Sequence, residues 1–445
     1  MRILFATAEL APFVRTGGLG DAVAGLAGAV AGLGHEVTVA VPGYAVIDDQ
    51  GVDGAPWRRL EHNGVTVLFF QDARFDRPGV YGPTPTSAYE DNWERFGAFS
   101  LAVGNLSPGF DLVHLHDSHV GGAALVVTPP SLFTIHNASY PMLGPLRPVA
   151  ELLDLDESAM ALEGALEWFG QANYLKAGIV GADQVTTVSP GHAEELTHDE
   201  TSFGLGGLIR ALPDSIIGIL NGIDTVAWDP ATDPVLPAAF TAERPGRRAE
   251  AKKLLLGRFG LDPGFLMGNV GRMAPPKGLQ LLDHDLDALV AEGVRLLLAG
   301  NGELDAMVDG WVERHPQAVA HAPYAESLAR LVSAGSDAYL MPSQFEPCGL
   351  GQMYAMRYGA PPVVHFTGGL EDSVVDIDEN PAAGTGFVFR SFAQSSFTKT
   401  IRRAHRYHAE IPHLWGRIRH NGMTRDWSWT ARAREYDVVY DRVAG

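Results

Sequence analysis

Cysteine is almost missing from this sequence. One residue, Cys348, stands in 445. No intrachain disulfide framework can hold the chain, and a reducing compartment suits it. Positive charge is also scarce: 33 Lys and Arg against 53 Asp and Glu leave a formal net charge of −20. That excludes a broadly basic surface for nucleic acid or anionic lipid and leaves room only for a local basic pocket. No uncharged apolar run approaches the roughly 20 residues of a membrane span. The opening MRILFATAEL lacks the longer apolar core and small-residue cleavage site of a signal peptide, and reads as a buried strand. Clear repeats and low-complexity tracts are absent. The expectation is a cytoplasmic protein with no nucleic-acid or membrane partner.

What is present is globular in composition. Apolar residues are 46% and charged residues 19%, ordinary for folded domains. The length exceeds one ordinary core and predicts two domains. Short apolar runs alternate with longer helical patterns. The runs at 2–8, 36–42, 65–71, 112–117, 131–137, 184–190 and 216–222 predict strands, as do those at 266–272, 294–300, 338–343, 361–367 and 385–390. Most lack strict alternation, as strands buried on both faces do, so the fold class is α/β with parallel sheets. Several runs end in polar or glycine residues, and open α/β sheets bind ligands beyond the carboxyl ends of their strands. Proline and charge concentrate at 229–248, which reads as a linker. The expected organisation is a domain over 1–232, a linker over 233–248, a second domain over 249–423 and a terminal helix over 424–445.

Four stretches carry chemistry. In RTGGLGD, Gly17 and Gly18 can let a ligand approach the main chain, the following helix offers free amides, and Arg15 adds a positive charge. The same loop can also be a plain strand-to-helix turn with Asp21 as the helix cap. HLHDSH places His114, His116, Asp117 and His119 together. Its order is HxHDxH, not the HxHxDH of dinuclear hydrolase sites, and His114 lies deep in an apolar run, so a core or capping role is favoured and no metal is expected. In GRMAPPKG, Arg272 and Lys277 flank a proline-stiffened loop after a strand. Two cations there suit a diphosphate that gains charge as it leaves. In SQFEPCGLGQMYAMRYG, Glu346 precedes a Pro-Cys-Gly-Leu turn that opens a helix. Its carboxylate suits sugar hydroxyls and the turn amides suit a phosphate. Only the helix start favours a thiolate at Cys348, so a nucleophilic cysteine is disfavoured. FTGGLED adds Gly368 and Gly369 in a further glycine turn. A nucleotide diphosphate-sugar fits these features together.

The ordered set RTGGLGDAVAGL, HLHDSHVG, FTIHN, TTVSPGHAEEL, GILNGIDTVAWDPATDP, FEPCGL, YAMRYG, TGGLEDSV and DWSWTARAREY resembles bacterial glycogen synthase and plant starch synthase along the whole chain. The resemblance implies a GT-B glycosyltransferase of two Rossmann-like domains facing each other across a cleft, acceptor side first and donor side second. The terminal helix would cross back onto the first domain. It implies transfer of a hexosyl group from a nucleotide-sugar such as ADP-glucose to the 4-hydroxyl of an α-glucan, with retained configuration and neither metal nor cofactor. Arg15 and Gly18 fall where the family contacts the diphosphate. Asp21, Asp117, His136 and Asn221 fall around the sugar and acceptor, and Arg272 and Lys277 at the phosphate clamp. Glu346 falls near the donor sugar, Cys348, Gly349 and Leu350 in the turn beside it, and Tyr324 on the base. Tyr354 stands where related families carry a second glutamate.

Departures cluster near these positions. Arg15 replaces a lysine, Ser118 a tryptophan and Gly351 a threonine. His365 and Phe366 replace two arginines, Ser139 and Pro141 alter the loop after His136, and Ala274-Pro275-Pro276-Lys277 replaces a TxQKG loop. They leave open a relative recruited to a small sugar or cyclitol acceptor. They also leave a non-catalytic glucan binder, against which Arg272, Lys277 and Glu346 argue. A pyridoxal-phosphate phosphorylase is disfavoured because no recognisable Schiff-base lysine context is present.

Overall fold

A computed structural model describes residues 1–47, 55–84 and 87–445. The chain divides into two compact units, Met1–Gly222 with Trp429–Gly445, and Ile223–Ser428. No helix among the described residues is long and apolar enough to cross a membrane.

The first unit is built on eight strands: β1 (Arg2–Ala6), β2 (Glu36–Pro42), β3 (Trp57–His62), β4 (Val65–Phe70), β5 (Leu112–His116), β6 (Ser131–Ile135), and, after a small sheet, β10 (Gln184–Thr187) and β11 (Ile217–Gly218). The small antiparallel sheet is β7 (Leu143–Pro145), β8 (Glu167–Trp168) and β9 (Gln171–Asn173). The main order is β11-β10-β6-β5-β1-β2-β4-β3. All neighbours are parallel except β3, which pairs antiparallel with β4. Ile3, Leu4, Phe5, Val39, Leu115 and Phe133 are fully buried, as strands covered by helices on both faces require.

The terminal helix Trp429–Ala444 belongs to this unit. Its buried residues Trp429, Ala433, Tyr436 and Tyr440 recur at helical spacing. It lies against the helix Gly18–Gly32, where a Cβ on Gly25 would sit 2.0 Å from the Trp429 indole nitrogen. Glycine is required there for the helices to approach. At the other end of the helix the Tyr440 hydroxyl meets His114 Nδ1 at 2.8 Å.

The second unit carries β12 (Phe265–Val270), β13 (Val294–Ala299), β14 (Val319–Ala322), β15 (Ala338–Met341), β16 (Pro362–His365) and β17 (Phe387–Phe389). They form one parallel sheet in the order β14-β13-β12-β15-β16-β17.

All twelve apolar runs contain strands. Sequence patterns missed β3, β14 and the small sheet. WRRLEH is a solvent-facing edge strand and lacks an apolar run. The unit boundary also differs from the expected one, falling at Gly222/Ile223 and Ser428/Trp429 rather than at 232 and 423. Residues 233–248 are not a free linker. Leu236 and Phe240 lie in the core of the second unit with Leu255 and Tyr358. Asp233 is buried, 3.2 Å from Arg330 and 2.5 Å from the Tyr358 hydroxyl. Proline and charge in that segment mark an extended course packed on the unit, which composition alone cannot distinguish from a tether.

Candidate functional site

In each main sheet one pair of adjacent strands marks where the strand order reverses, and ligands of open α/β sheets gather at that point. In the second unit it lies between β12 and β15. The loop after β12 carries Arg272 and ends in the turn Pro275–Lys277. Gly278 closes that turn at φ 77°, and a Cβ there would lie 1.9 Å from the Pro342 carbonyl. The Gln344 amide donates to the Pro276 carbonyl at 2.8 Å, so the loops after β12 and β15 are locked together. The lock brings Lys277 Nζ to 2.6 Å from Glu346 Oε2, which also accepts from the Ser343 hydroxyl at 2.8 Å. Glu346 is buried and Lys277 partly so. Lys277 is therefore ion-paired and only partly exposed. Arg272 is exposed and extends from the same loop.

Tyr324 is 52% exposed beyond β14. Cys348 is buried. Gly349 has φ 71° and lies against Gln352, whose side-chain amide donates to the Cys348 and Gly349 carbonyls. Leu350 precedes the helix Gly351–Arg357. Tyr354 stacks on Trp228 at 3.9 Å, a packing role within the unit. At the Gly368–Gly369 turn the Gly369 amide donates to the Glu346 and Pro347 carbonyls at 3.0 and 3.1 Å. This amide braces the Glu346 turn.

In the first unit the order reverses between β1 and β5. Here sequence reading missed the central residue. Glu9 is buried, and its carboxylate accepts from the Thr16 amide (2.7 Å), the Gly17 amide (3.1 Å), the Thr16 hydroxyl (2.5 Å) and the Tyr81 hydroxyl (2.6 Å). It pins the glycine loop from beneath. The Gly17 amide is thereby committed to Glu9. The helix starts at Gly18, with Gly17 as its extended cap residue, and Asp21 lies in its first turn instead of capping it. Asp21 pairs with Arg15 at 3.1 Å, both partly exposed. Neither Gly17 nor Gly18 has positive φ. A Cβ on Gly17 would meet no atom within 4 Å, so the fold itself leaves open space over the loop.

Across the same sheet end, Asp117 follows β5 at φ 69° and ψ 172°, a region almost confined to glycine and one where strain is typically kept for function. It is buried. Burial pushes its carboxyl up to about 7, against backbone amides of Asn137, His136 and Ser118 that favour the charged form. His136 Nε2 lies 3.1 Å from His116 Nδ1, and burial holds His136 down at about 3. His114 is a core residue between Tyr440 and the Thr134 hydroxyl. Among the described residues no group of three or more His, Cys, Asp or Glu could hold a metal ion. Asn221 is buried past β11.

Two departures have packing causes. Ser118 is fully buried and donates to the Tyr140 carbonyl at 2.6 Å. The position is no exposed platform for a sugar ring. A Cβ on Gly351 would sit 2.9 Å from the Tyr339 hydroxyl, which itself bridges the Val270 amide and carbonyl at 3.1 Å. Threonine has no room beside that tyrosine.

Residues 2–211 match the starch synthase catalytic domain family and residues 264–406 the glycosyl transferases group 1 family. The chain is 38% identical to a glycogen synthase of Paracidovorax citrulli, covering 99% of this chain and 94% of that protein. It is 38% identical to one of Methylocella silvestris, covering 98% of each. Its structure matches the catalytic domain of starch synthase IV from Arabidopsis thaliana bound to ADP and acarbose with a TM-score of 0.90 at 30% identity, over 100% and 99% of the two chains. A sucrose-phosphate synthase from Thermosynechococcus elongatus shares the fold at a TM-score of 0.64, 18% identity, and 99% and 98% coverage.

Proposed function

The chain belongs to the glycogen and starch synthase family of GT-B glycosyltransferases, and from that premise we propose that it moves a glucosyl group from ADP-glucose to the 4-hydroxyl of an α-1,4-glucan with retained configuration. One observation carries the reading. At the β12–β15 reversal point the Lys277 ammonium and the buried Glu346 carboxylate meet from two interlocked loops, and the exposed Arg272 belongs to the first of them.

A nucleotide-sugar breaks at the bond between anomeric carbon and diphosphate, and negative charge accumulates on the leaving oxygen. Arg272 and Lys277 neutralise that charge, which is worth most where water is excluded. Glu346 takes sugar hydroxyls, and its contact with Lys277 ties sugar position to phosphate position. Tyr324 stacks on the base. In the first unit, Arg15 and the open space above Gly17 suit a phosphate, with Gly18 and Asp21 beside them. Asp117, His136 and Asn221 suit sugar or acceptor hydroxyls. The leaving phosphate takes the acceptor proton on the same face, so no covalent intermediate on the protein is needed.

The departures do not favour a recruited small-molecule enzyme. Ser118 and Gly351 answer to packing, and similarity to glycogen synthases spans the whole chain. The test is a screen of ADP-, UDP-, GDP- and dTDP-sugars against glycogen, maltose and cyclitol phosphates. Elongation of glycogen from ADP-glucose is the expected result. Transfer only to a cyclitol phosphate, or from a different sugar alone, overturns it.

A further inference from the structure

We propose that His116 is a positioning residue for the transfer: it donates from Nδ1 to His136 Nε2 and thereby fixes His136 as a hydrogen-bond donor that offers its Nδ1–H to a sugar oxygen. The role rests on the proposed transfer. It gives the HxH pattern of β5 a use that packing alone does not explain.

Strand geometry builds the contact. His114 and His116 stand two residues apart on one face of β5. The parallel neighbours β5 and β6 pair His114 with Leu132 and His116 with Thr134. Each histidine reaches two residues past its partner. His114 Nε2 lies 2.6 Å from Thr134 Oγ1, and His116 Nδ1 lies 3.1 Å from His136 Nε2. His116 is 1% exposed, whereas His136 follows the carboxyl end of β6 and is half-buried.

The direction of that bond follows from the other two nitrogens. Of two neutral imidazoles so joined, one donates and one accepts. Burial keeps both neutral, holding His116 well below 6.5 and His136 at about 3. His116 Nε2 is buried and has no hydrogen-bond partner among the described residues. Phe5 and His114 lie against its ring with 25° and 36° between planes, far from the edge-on approach in which a ring face takes an N–H. A proton on Nε2 would be a buried N–H without an acceptor, which native structures rarely keep. A bare lone pair there is the smaller loss.

The proton therefore sits on His116 Nδ1, His136 Nε2 accepts it, and His136 carries its own proton on Nδ1. Nothing among the described residues bonds His136 Nδ1, and that atom is not sealed from solvent. A fixed N–H beyond the carboxyl end of a strand can hold a sugar oxygen. It cannot remove the acceptor proton, which agrees with the leaving phosphate as the base.

The full-length chain, labelled with nitrogen-15 histidine and free of ligand, is examined at neutral pH by long-range proton–nitrogen correlation NMR, which separates protonated from bare ring nitrogens. The variant His136→Gln identifies the His136 signals by their loss. Wild-type His136 is expected to be protonated on Nδ1, and a proton on Nε2 overturns the proposal. Two variants test the dependence on His116. His116→Phe keeps a ring and loses the donor, whereas His116→Asn loses the ring and keeps an N–H at the δ position. In His116→Phe the His136 proton is expected to move in part to Nε2, and an unchanged tautomer overturns the positioning role. In the same variant kcat/KM for ADP-glucose falls about tenfold, the scale of one lost hydrogen bond, and His116→Asn recovers to within about threefold of wild type. Packing alone ranks the two variants the other way, and that order also overturns the role. If His116→Asn does not fold, the tautomers of the wild type and His116→Phe still decide. No transfer from ADP-glucose by the wild type overturns the proposed function, whereas the ligand-free spectra decide the tautomer without turnover.

Discussion

The ammonium of Lys277 lies 2.6 Å from Glu346 Oε2, joining residues 69 positions apart in the sequence. The contact exists because β12 and β15 are neighbours and because the loops after them share a backbone hydrogen bond. It makes Lys277 at once a phosphate ligand candidate and the counter-charge of a buried carboxylate.

Arg272 and Lys277 should therefore separate in their effects. Arg272→Ala and Lys277→Ala each lower turnover with ADP-glucose and glycogen roughly 10²–10³-fold, the scale of a lost charge-stabilising donor. Only Lys277→Ala also destabilises the fold, by about 1–3 kcal/mol, because Glu346 loses its partner while buried. Parallel kinetics and denaturant midpoints check both. Near-normal turnover in either variant removes that residue from the transfer step.

Glu9 should act as a positioning residue. Glu9→Ala releases the Thr16 and Gly17 amides and the Tyr81 hydroxyl together. Hydrogen exchange at Thr16 and Gly17 rises, and KM for the donor rises with it. Unchanged exchange at these two amides contradicts the pinning.

Asp117 should govern the acid side of the pH profile. Its folded carboxyl titrates at about 7 against an ordinary 3.8, so the folded state holds the extra proton between these values, and stability attached to the neutral form is lost as pH rises through 7. Asp117→Asn therefore stabilises the fold by about 2–4 kcal/mol at pH 8, with no gain below pH 3.8. If the carboxylate acts on a sugar hydroxyl, kcat/KM falls below pH 7 and Asp117→Asn is slow at every pH. A variant that is both active and without that acid limb refutes the role.

The histidines oppose Asp117 in sign. Burial holds His119 at about 4 and His136 and His192 at about 3, with His114 and His116 well below 6.5. Below 6.5 the unfolded chain binds protons that the folded chain refuses, so stability falls as pH drops, by roughly 1.4 kcal/mol per pH unit for each histidine. Several histidines outweigh one aspartate, and the denaturant midpoint should fall steadily from pH 7 to 5.5. A flat midpoint across that range refutes the buried neutral state.

Sequence patterns were most informative where a local property is enough. A strand buried on both faces must be apolar throughout, so β1, β2, β12 and β13 are legible as runs, and their polar ends mark the rims where ligands gather. WRRLEH escaped because an edge strand with one wet face carries no such run. The segment 233–248 misled because proline and charge describe both a tether and an extended strap whose Asp233 is buried against Arg330.

The sequence by itself determined the fold class, the family and most of the residue types that the proposed chemistry needs, since periodicity and ordered motifs are properties of the chain read along its length. Tertiary structure alone decided which of those groups meet and in what state. Lys277 finds Glu346, and Glu9 takes the Thr16 and Gly17 amides. Gly369 braces a turn, and Asp117 is raised to about 7. Each depends on what surrounds a group in space. Pairing across adjacent strands and loss of solvent are set by packing between segments distant in sequence, and no local pattern encodes them.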